Sequence, residues 1–299
     1  MKLSQHDLSI LSQCAISAAL QAGQIIQQYT ATKPKVKIKQ GGSTLASQVV
    51  TEVDHLSQAV ILQNLQPSCT QFDLALLTEE SPDDQQRLHK DFFWCIDPLD
   101  GTLPFIECTD GYAVSIALVS RQGAPYIGVV YDPIKQTLYH AIKGLGVFRN
   151  NTPWKIANTK KNQPQPLTFI TDRSFKKHAL YPQVLTQLNQ LAIELGYYNL
   201  NIIQHGGATM NACWALEQSP ACYFKFPKAE NGGGSLWDFA ATACLFNEAK
   251  AQVSDIYRQP LDLNRPDSTF MNHRGILFCT DKPLAQQISI LYKQLVPDN

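Results

Sequence analysis

Long apolar runs are missing from this sequence. None approaches the roughly 18 apolar residues expected of a membrane-spanning helix. The opening Met1-Lys2-Leu3-Ser4-Gln5-His6-Asp7 is polar and carries no hydrophobic region of a secretory leader. Net charge is missing as well. Lys plus Arg and Asp plus Glu are balanced at 25 each over 299 residues, which gives no support for a nucleic-acid polymer or a membrane as partner. No C-x-x-C pair occurs among the eight cysteines (Cys14, Cys69, Cys95, Cys108, Cys213, Cys222, Cys244 and Cys279), so a zinc site is not expected. Most of them sit in apolar runs, where a free thiol behaves as a small hydrophobe. That usage suits a reducing compartment, and the expectation is a cytoplasmic protein. Internal repeats, low-complexity tracts and heptads are also absent.

What is present is enough apolar material, 44% of the chain, for a substantial core, with a length that fits one large domain or two ordinary ones. Leu8, Leu11, Ala15, Ala18, Ala22 and Ile25 recur at helical spacing and predict a helix over 4–29. A short strand at Val36 and Ile38 and a loop at Gly41-Gly42-Ser43 follow. A second helix is expected from an N-cap at Thr51 to about Gln66, stopped by Pro67. Residues 73–78 and 92–97 read as strands ending in carboxylates, and 112–120, 126–132 and 137–142 as an antiparallel meander. The broken stretch 158–166 is the expected boundary between an N-terminal half, 1–160, and a C-terminal half, 161–299. In the second half the pattern alternates, with strands at 167–171, 199–203, 221–226 and 275–279. Helices are expected near 175–195, 208–216, 236–247 and 282–295, an α/β order.

Trp94-Cys95-Ile96-Asp97-Pro98-Leu99-Asp100-Gly101-Thr102 is the most informative stretch. An apolar strand ends in Asp97, Pro98 forces a turn, and Asp100 follows. Two carboxylates spaced across a turn can converge on one hard cation such as magnesium, which prefers oxygen ligands. Gly101 permits close approach to the backbone, and a helical turn starting after Thr102 would present N–H groups to a phosphate. Alone, D-x-x-D-G is equally an ordinary strand-to-turn junction. Three further segments carry weight in combination. Thr78-Glu79-Glu80-Ser81 ends another apolar strand and reads by itself as a solvated loop. Asp238, in Leu236-Trp237-Asp238-Phe239-Ala240-Ala241, falls in the first turn of an apolar helix and is also a plausible capping residue. Asp54, in Thr51-Glu52-Val53-Asp54, is read either as part of a helix start or as a functional group.

The order V-T-E-x-D, T-E-E-S, D-P-L-D-G-T, W-D-x-A-A resembles the lithium-sensitive, magnesium-dependent phosphatases. This superfamily includes inositol monophosphatases, 3'(2'),5'-bisphosphate nucleotidases and fructose bisphosphatases. The resemblance covers the chain from the first helix to at least Asp255. It implies an α+β / α/β fold, a layered αβαβα sandwich, and a phosphomonoesterase with two or three magnesium ions per site. By the resemblance, Glu79, Asp97 and the Leu99 carbonyl hold the first metal, and Asp97, Asp100 and Asp238 hold the second. Thr102 and Asp54 form a hydrogen-bonded pair beside the attacking water, and the N–H groups of Gly101 and Thr102 hold phosphate oxygens. The sequence departs from the family where two glycines are usual: Lys250 and Ala251 stand there.

The partner implied is a small phosphorylated metabolite, with the protein a monomer or homodimer. Leu103-Pro104-Phe105-Ile106 after Thr102 is closer to the bisphosphate nucleotidase style, which makes adenosine 3',5'-bisphosphate, hydrolysed to AMP, the leading substrate. An inositol monophosphatase-type enzyme on inositol or sugar phosphates is the alternative, and a non-catalytic metal- and phosphate-binding regulator a second one. Substrate-side candidates are Gly207, Lys225 and Lys228, the lysines as point charges for a second phosphate, with Tyr223 or Phe226 stacking on a base. A solvated loop beside a packed strand explains the same residues. His205 reads as a structural histidine, and His273 and Arg274 as surface residues.

Overall fold

The computed structural model describes residues 2–30, 36–38, 49–156 and 165–296. The loop expected at Gly41-Gly42-Ser43 and most of the expected boundary at 158–166 lie outside them. In chain order the elements are α1 (Gln5–Tyr29), β1 (Val36–Ile38), β2 (Val49–Thr51), α2 (Glu52–Gln71), β3 (Ala75–Thr78), β4 (Phe92–Asp100), α3 (Thr102–Ile106), β5 (Ala113–Ser120), β6 (Pro125–Asp132), β7 (Thr137–Ile142), β8 (Gly146–Arg149) and β9 (Thr152–Pro153). Then follow β10 (Leu167–Ile170), α4 (Tyr181–Glu194), β11 (Leu200–Ile203), α5 (Ala208–Glu217), β12 (Ala221–Lys225), α6 (Leu236–Glu248), β13 (Gln252–Ser254), β14 (Ile276–Cys279) and α7 (Lys282–Leu295).

Strands β3 to β9 form one seven-stranded sheet in sequence order, antiparallel except for the β3–β4 pair. A five-stranded mixed sheet has the order β11-β10-β12-β14-β13. Strand periodicity sorts side chains between layers. On β4 and β5, Trp94, Ile96, Val114, Ile116 and Leu118 pack with the apolar stripes of α1 and α2, while Phe93, Cys95, Ala113, Ala117 and Val119 face the opposite way. That second face meets α5 and α6, whose other side meets Ile170, Tyr223, Ile276 and Phe278 of the second sheet. The outer face of that sheet, with Phe169, Phe224 and Leu277, is covered by α4 and α7. The result is five layers, αβαβα.

The middle layer explains its own sequence. From Leu236 to Phe246, α6 is apolar almost all round, as a helix between two sheets must be. It lies so close to β6 that a Cβ at Gly128 would meet the Ala241 carbonyl oxygen at 2.3 Å. The 5–30 region of α1 is long and apolar enough, by length and composition alone, to cross a membrane. Half of it is buried in this fold, however, in the first apolar cluster with α2.

Two expected helices differ in extent. Helix α2 runs through Pro67 to Gln71. The proline stands in the last turn and a half and removes one backbone hydrogen bond of the helix, and Ser68 is anchored there by the buried Trp94 Nε1 donor at 3.0 Å. The helix expected over 175–195 is a 3-10 turn, Arg173–Lys177, followed by α4. His178 is extended, and Pro182 starts the helix afresh.

Candidate active site

The site forms where β4 of the first sheet meets the starts of α5 and α6. Asp97 and Asp100 are an odd number of residues apart, so in a regular strand they would face opposite sides. The register shows why they do not: Asp97 pairs with Ser115 but Asp100 with Ala113, three steps on one strand against two on the other. This bulge at Pro98-Leu99 turns both carboxylates to one side. The Leu99 N–H donates to Asp97 Oδ1 at 3.0 Å and fixes the turn. Asp238 arrives from the other direction. It is the third residue of α6 and closes a capping box with Ser235, so the capping role and the site role fall on the same carboxylate.

Oxygens of Asp97, Asp100 and Asp238 lie within 4.8 Å of one another. Asp97 and Asp100 are buried and Asp238 is half-buried. Burial pushes the Asp97 carboxyl well above the usual carboxylate range, and the Glu79 charge adds to it. Asp238 is raised in the same way, by burial and then by Asp100. Burial raises Asp100 to about 6, even though the Thr209 N–H opposes the shift. Three carboxylates crowded together could hold a hard, multiply charged cation, and their all-oxygen donor set fits magnesium.

Glu79 stands at the end of β3, its N–H donating to the Ile96 carbonyl at 3.1 Å. It lies beside the group of three, and its charge acts on all three carboxyls. The Thr102 hydroxyl has two acceptors for its one proton, Asp54 Oδ1 and the Leu99 carbonyl, each at 3.5 Å, the outer edge of hydrogen bonding. Asp54 is 1% exposed. Gly101 caps α3 with φ +87, where a side chain would strike the Gly111 carbonyl oxygen at 2.6 Å.

Gly207 is at the cluster itself. A Cβ there would lie 2.6 Å from Asp100 Oδ2 and 2.7 Å from Gly101 Cα. This close approach lets the start of α5 close on Asp100, which accepts from Ala208 N at 3.2 Å and Thr209 N at 2.7 Å. The Thr209 hydroxyl also donates to the Asp238 carbonyl at 3.1 Å.

On the substrate side, Lys225 is brought close enough to lower the carboxyls of both Asp100 and Asp238. Lys228 lies nearby: burial, and then the Lys225 charge, hold its ammonium below the usual lysine range. Neither expected stacking ring is available. Tyr223 is fully buried, its ring against Phe278 and its hydroxyl donating to Asp172 at 3.0 Å. Phe226 alternates to the other face of β12 and packs on Phe224, Phe175 and Tyr292. His205 is exposed, bonded through Nε2 to Asp110 at 3.1 Å and lying on Trp214. His273 and Arg274 are half-buried, and Arg274 pairs with the buried Asp255.

Asp172 was not foreseen. It follows β10 and gathers Tyr223, Lys225 and Asn211 around one carboxylate. A strand ending in an acid was the available signal, the same one that marked Glu79 and Asp97.

Comparison with known proteins agrees with this fold. The inositol monophosphatase family model matches residues 7–288. An inositol-1-monophosphatase of Synechocystis sp. is 31% identical over 290 residues, 96% of this chain and 90% of that protein. The 3'(2'),5'-bisphosphate nucleotidase CysQ of Shigella flexneri is 29% identical over 249 residues, 83% of this chain and 91% of that protein. Among solved structures, the inositol monophosphatase from Anabaena (Nostoc) sp. PCC 7120 superposes with a TM-score of 0.70 at 25% identity, covering 97% of this chain and 98% of that one. With the layered sandwich, and with the carboxylates gathered where its first sheet meets the middle layer of helices, the chain belongs to the inositol monophosphatase family, a family of phosphoric monoester hydrolases.

Proposed function

We propose that this phosphatase hydrolyses a small phosphate monoester bearing a second anionic group, with adenosine 3',5'-bisphosphate, converted to AMP, as the leading substrate. The observation that carries the reading is the pair Lys225 and Lys228. They stand beside a cluster that needs cations, and the charge of one depresses the other. Two crowded ammonium groups beyond the reacting phosphate suit a second phosphate.

Asp97, Asp100 and Asp238, with Glu79 and the Leu99 carbonyl, would hold two or three magnesium ions. When bound, these neutralise charge on the phosphoryl oxygens and lower the pKa of water. The chain's own groups then have defined tasks. Thr102 Oγ donates its proton toward Asp54, which leaves its lone pairs to accept from an attacking water and aim it at phosphorus. Asp54, buried behind Thr102, is the acceptor at the end of that relay. The N–H groups of Gly101 and Thr102 hold phosphate oxygens, and Gly207 keeps the start of α5 packed against Asp100. Lys225 and Lys228 bind the remote anion and keep the nucleotide anchored while its ester oxygen parts from phosphorus and takes up, as the alcohol, the proton that the attacking water has lost.

A second reading, an inositol monophosphatase-type enzyme, is favoured by the 31% identity over 96% of the chain to the Synechocystis protein. Phosphate release with magnesium separates them. Adenosine 3',5'-bisphosphate should be preferred over inositol 1-phosphate, with lithium inhibiting. The reverse preference would establish the second reading. Release from neither, with magnesium still bound, would favour a regulatory binding protein.

A further inference from the structure

Lys225 occupies an unusual position. Its strand neighbour two residues back, Tyr223, shares its face of β12, and the Lys225 ammonium lies 5.3 Å from the ring centroid of Phe239, the residue after Asp238. It is 15% exposed, so water screens little of its charge. An ammonium on a flexible stem, within reach of a crowded carboxylate cluster, would fold into that cluster if nothing held it elsewhere. It would be an internal cation competing for the same oxygens.

Asp172 is what holds it. Asp172 Oδ2 takes Lys225 Nζ at 2.7 Å. Its other oxygen accepts from the Tyr223 hydroxyl at 3.0 Å and from Asn211 Nδ2 at 3.3 Å, so the carboxylate is pinned from two elements besides its own. Asn211 lies in the first turn of α5, two residues after Thr209, whose N–H binds Asp100. One helix start therefore fixes both the metal-side carboxylate and the carboxylate that restrains the lysine.

We propose that Asp172 is a positioning residue that holds the Lys225 ammonium off the cluster of Asp97, Asp100 and Asp238, so that the chain's own cation does not take the place of the divalent ion. The inference rests on the reading of that cluster as a magnesium site. Its signature is counterintuitive: removing a carboxylate that is not itself a ligand weakens metal binding, and only while Lys225 is present.

The test is calorimetric titration of magnesium chloride into the metal-stripped wild type, Asp172→Asn, Lys225→Met and the double variant. Asp172→Asn retains an oxygen for Tyr223 and Asn211. It should bind magnesium about tenfold more weakly, because the freed ammonium now competes. Lys225→Met, which loses a cation already held by Asp172, should stay within about threefold of wild type, and the double variant within about threefold of Lys225→Met. Unchanged affinity in Asp172→Asn would overturn the proposal, as would an equal loss in the Lys225→Met background, since that is the long-range field of Asp172 alone. If Asp172→Asn does not fold, Lys225→Met still decides. Tightening by more than about tenfold would mean that the paired lysine already competes, against the proposal, while little change supports it. Failure of the wild type to bind magnesium would overturn the metal reading and this inference together; the variant results bear on this inference alone.

Discussion

A phosphatase built around mutually repelling carboxylates should be least comfortable, without metal, at the pH where it works. The Asp100 carboxyl is raised by burial from 3.8 to about 6, which corresponds to on the order of 3 kcal/mol. The sign follows from proton counting. Between about pH 4 and 6 the folded state holds a proton that the unfolded chain has released, so stability falls as pH rises through that window. Burial raises Asp97 and Asp238 as well, so both add to the fall. For a chain of this size, about 3 kcal/mol is roughly 5 °C in melting temperature. Thermal unfolding in chelator should therefore show a lower midpoint near about pH 7.5 than near about pH 5, and magnesium should recover the loss at the higher pH only. Asp97→Asn sharpens the test. Its amide oxygen can still accept the Leu99 N–H, but the charge is gone. The variant should melt above the wild type in chelator near about pH 7.5 while losing at least about a hundredfold in turnover. A metal-free wild type equally stable at both pH values, or an Asp97→Asn protein that melts lower in chelator, would refute the electrostatic account.

Thr102→Ala should lower kcat by about a hundredfold and leave KM within about threefold, because positioning of the attacking water matters in the transition state; a rise in KM alone would remove Thr102 from that role. Lys250→Gly should raise stability by about 0.5–1 kcal/mol in urea unfolding, since Lys250 sits at φ +61, a left-handed conformation that glycine adopts without strain. A lower urea midpoint would show that the lysine side chain contributes more than its backbone costs.

Lys250 also shows what could be read from residues alone. The departure from the two customary glycines was visible in the sequence, and the structure gives its place. Lys250 follows the end of α6, where the Ala251 N–H closes back on the Phe246 carbonyl at 3.0 Å in a helix-terminating turn. Most elements were legible because their apolar period was strong: the meander β5–β7, the stripe of α1 and the all-apolar α6. Strands β8 and β9 were missed because they are short, although Asn150 and Asn151, both at positive φ, form the two-residue turn that joins them. In the site, carboxylates at strand and helix ends could be found one by one. What composition and period do not encode is which distant segments meet. The closure of Ala208 and Thr209 on Asp100, and the gathering of Tyr223, Lys225 and Asn211 by Asp172, depend on the packing of one sheet's layer on another. The same packing removed Tyr223 and Phe226 as stacking groups: alternation along β12 sends one ring into each core.

The meeting of β4 with the starts of α5 and α6 also bears on how the protein is made. Asp97 and Asp100 are translated early, but the N–H groups that close on Asp100 come more than a hundred residues later. Asp238 comes later still, on a helix buried between both sheets. A nascent chain halted anywhere before that helix would hold an incomplete set of ligands on an uncovered sheet. On the metal-site reading, catalytic competence waits for the last of these segments, and a product truncated before α6 would not hydrolyse phosphate esters.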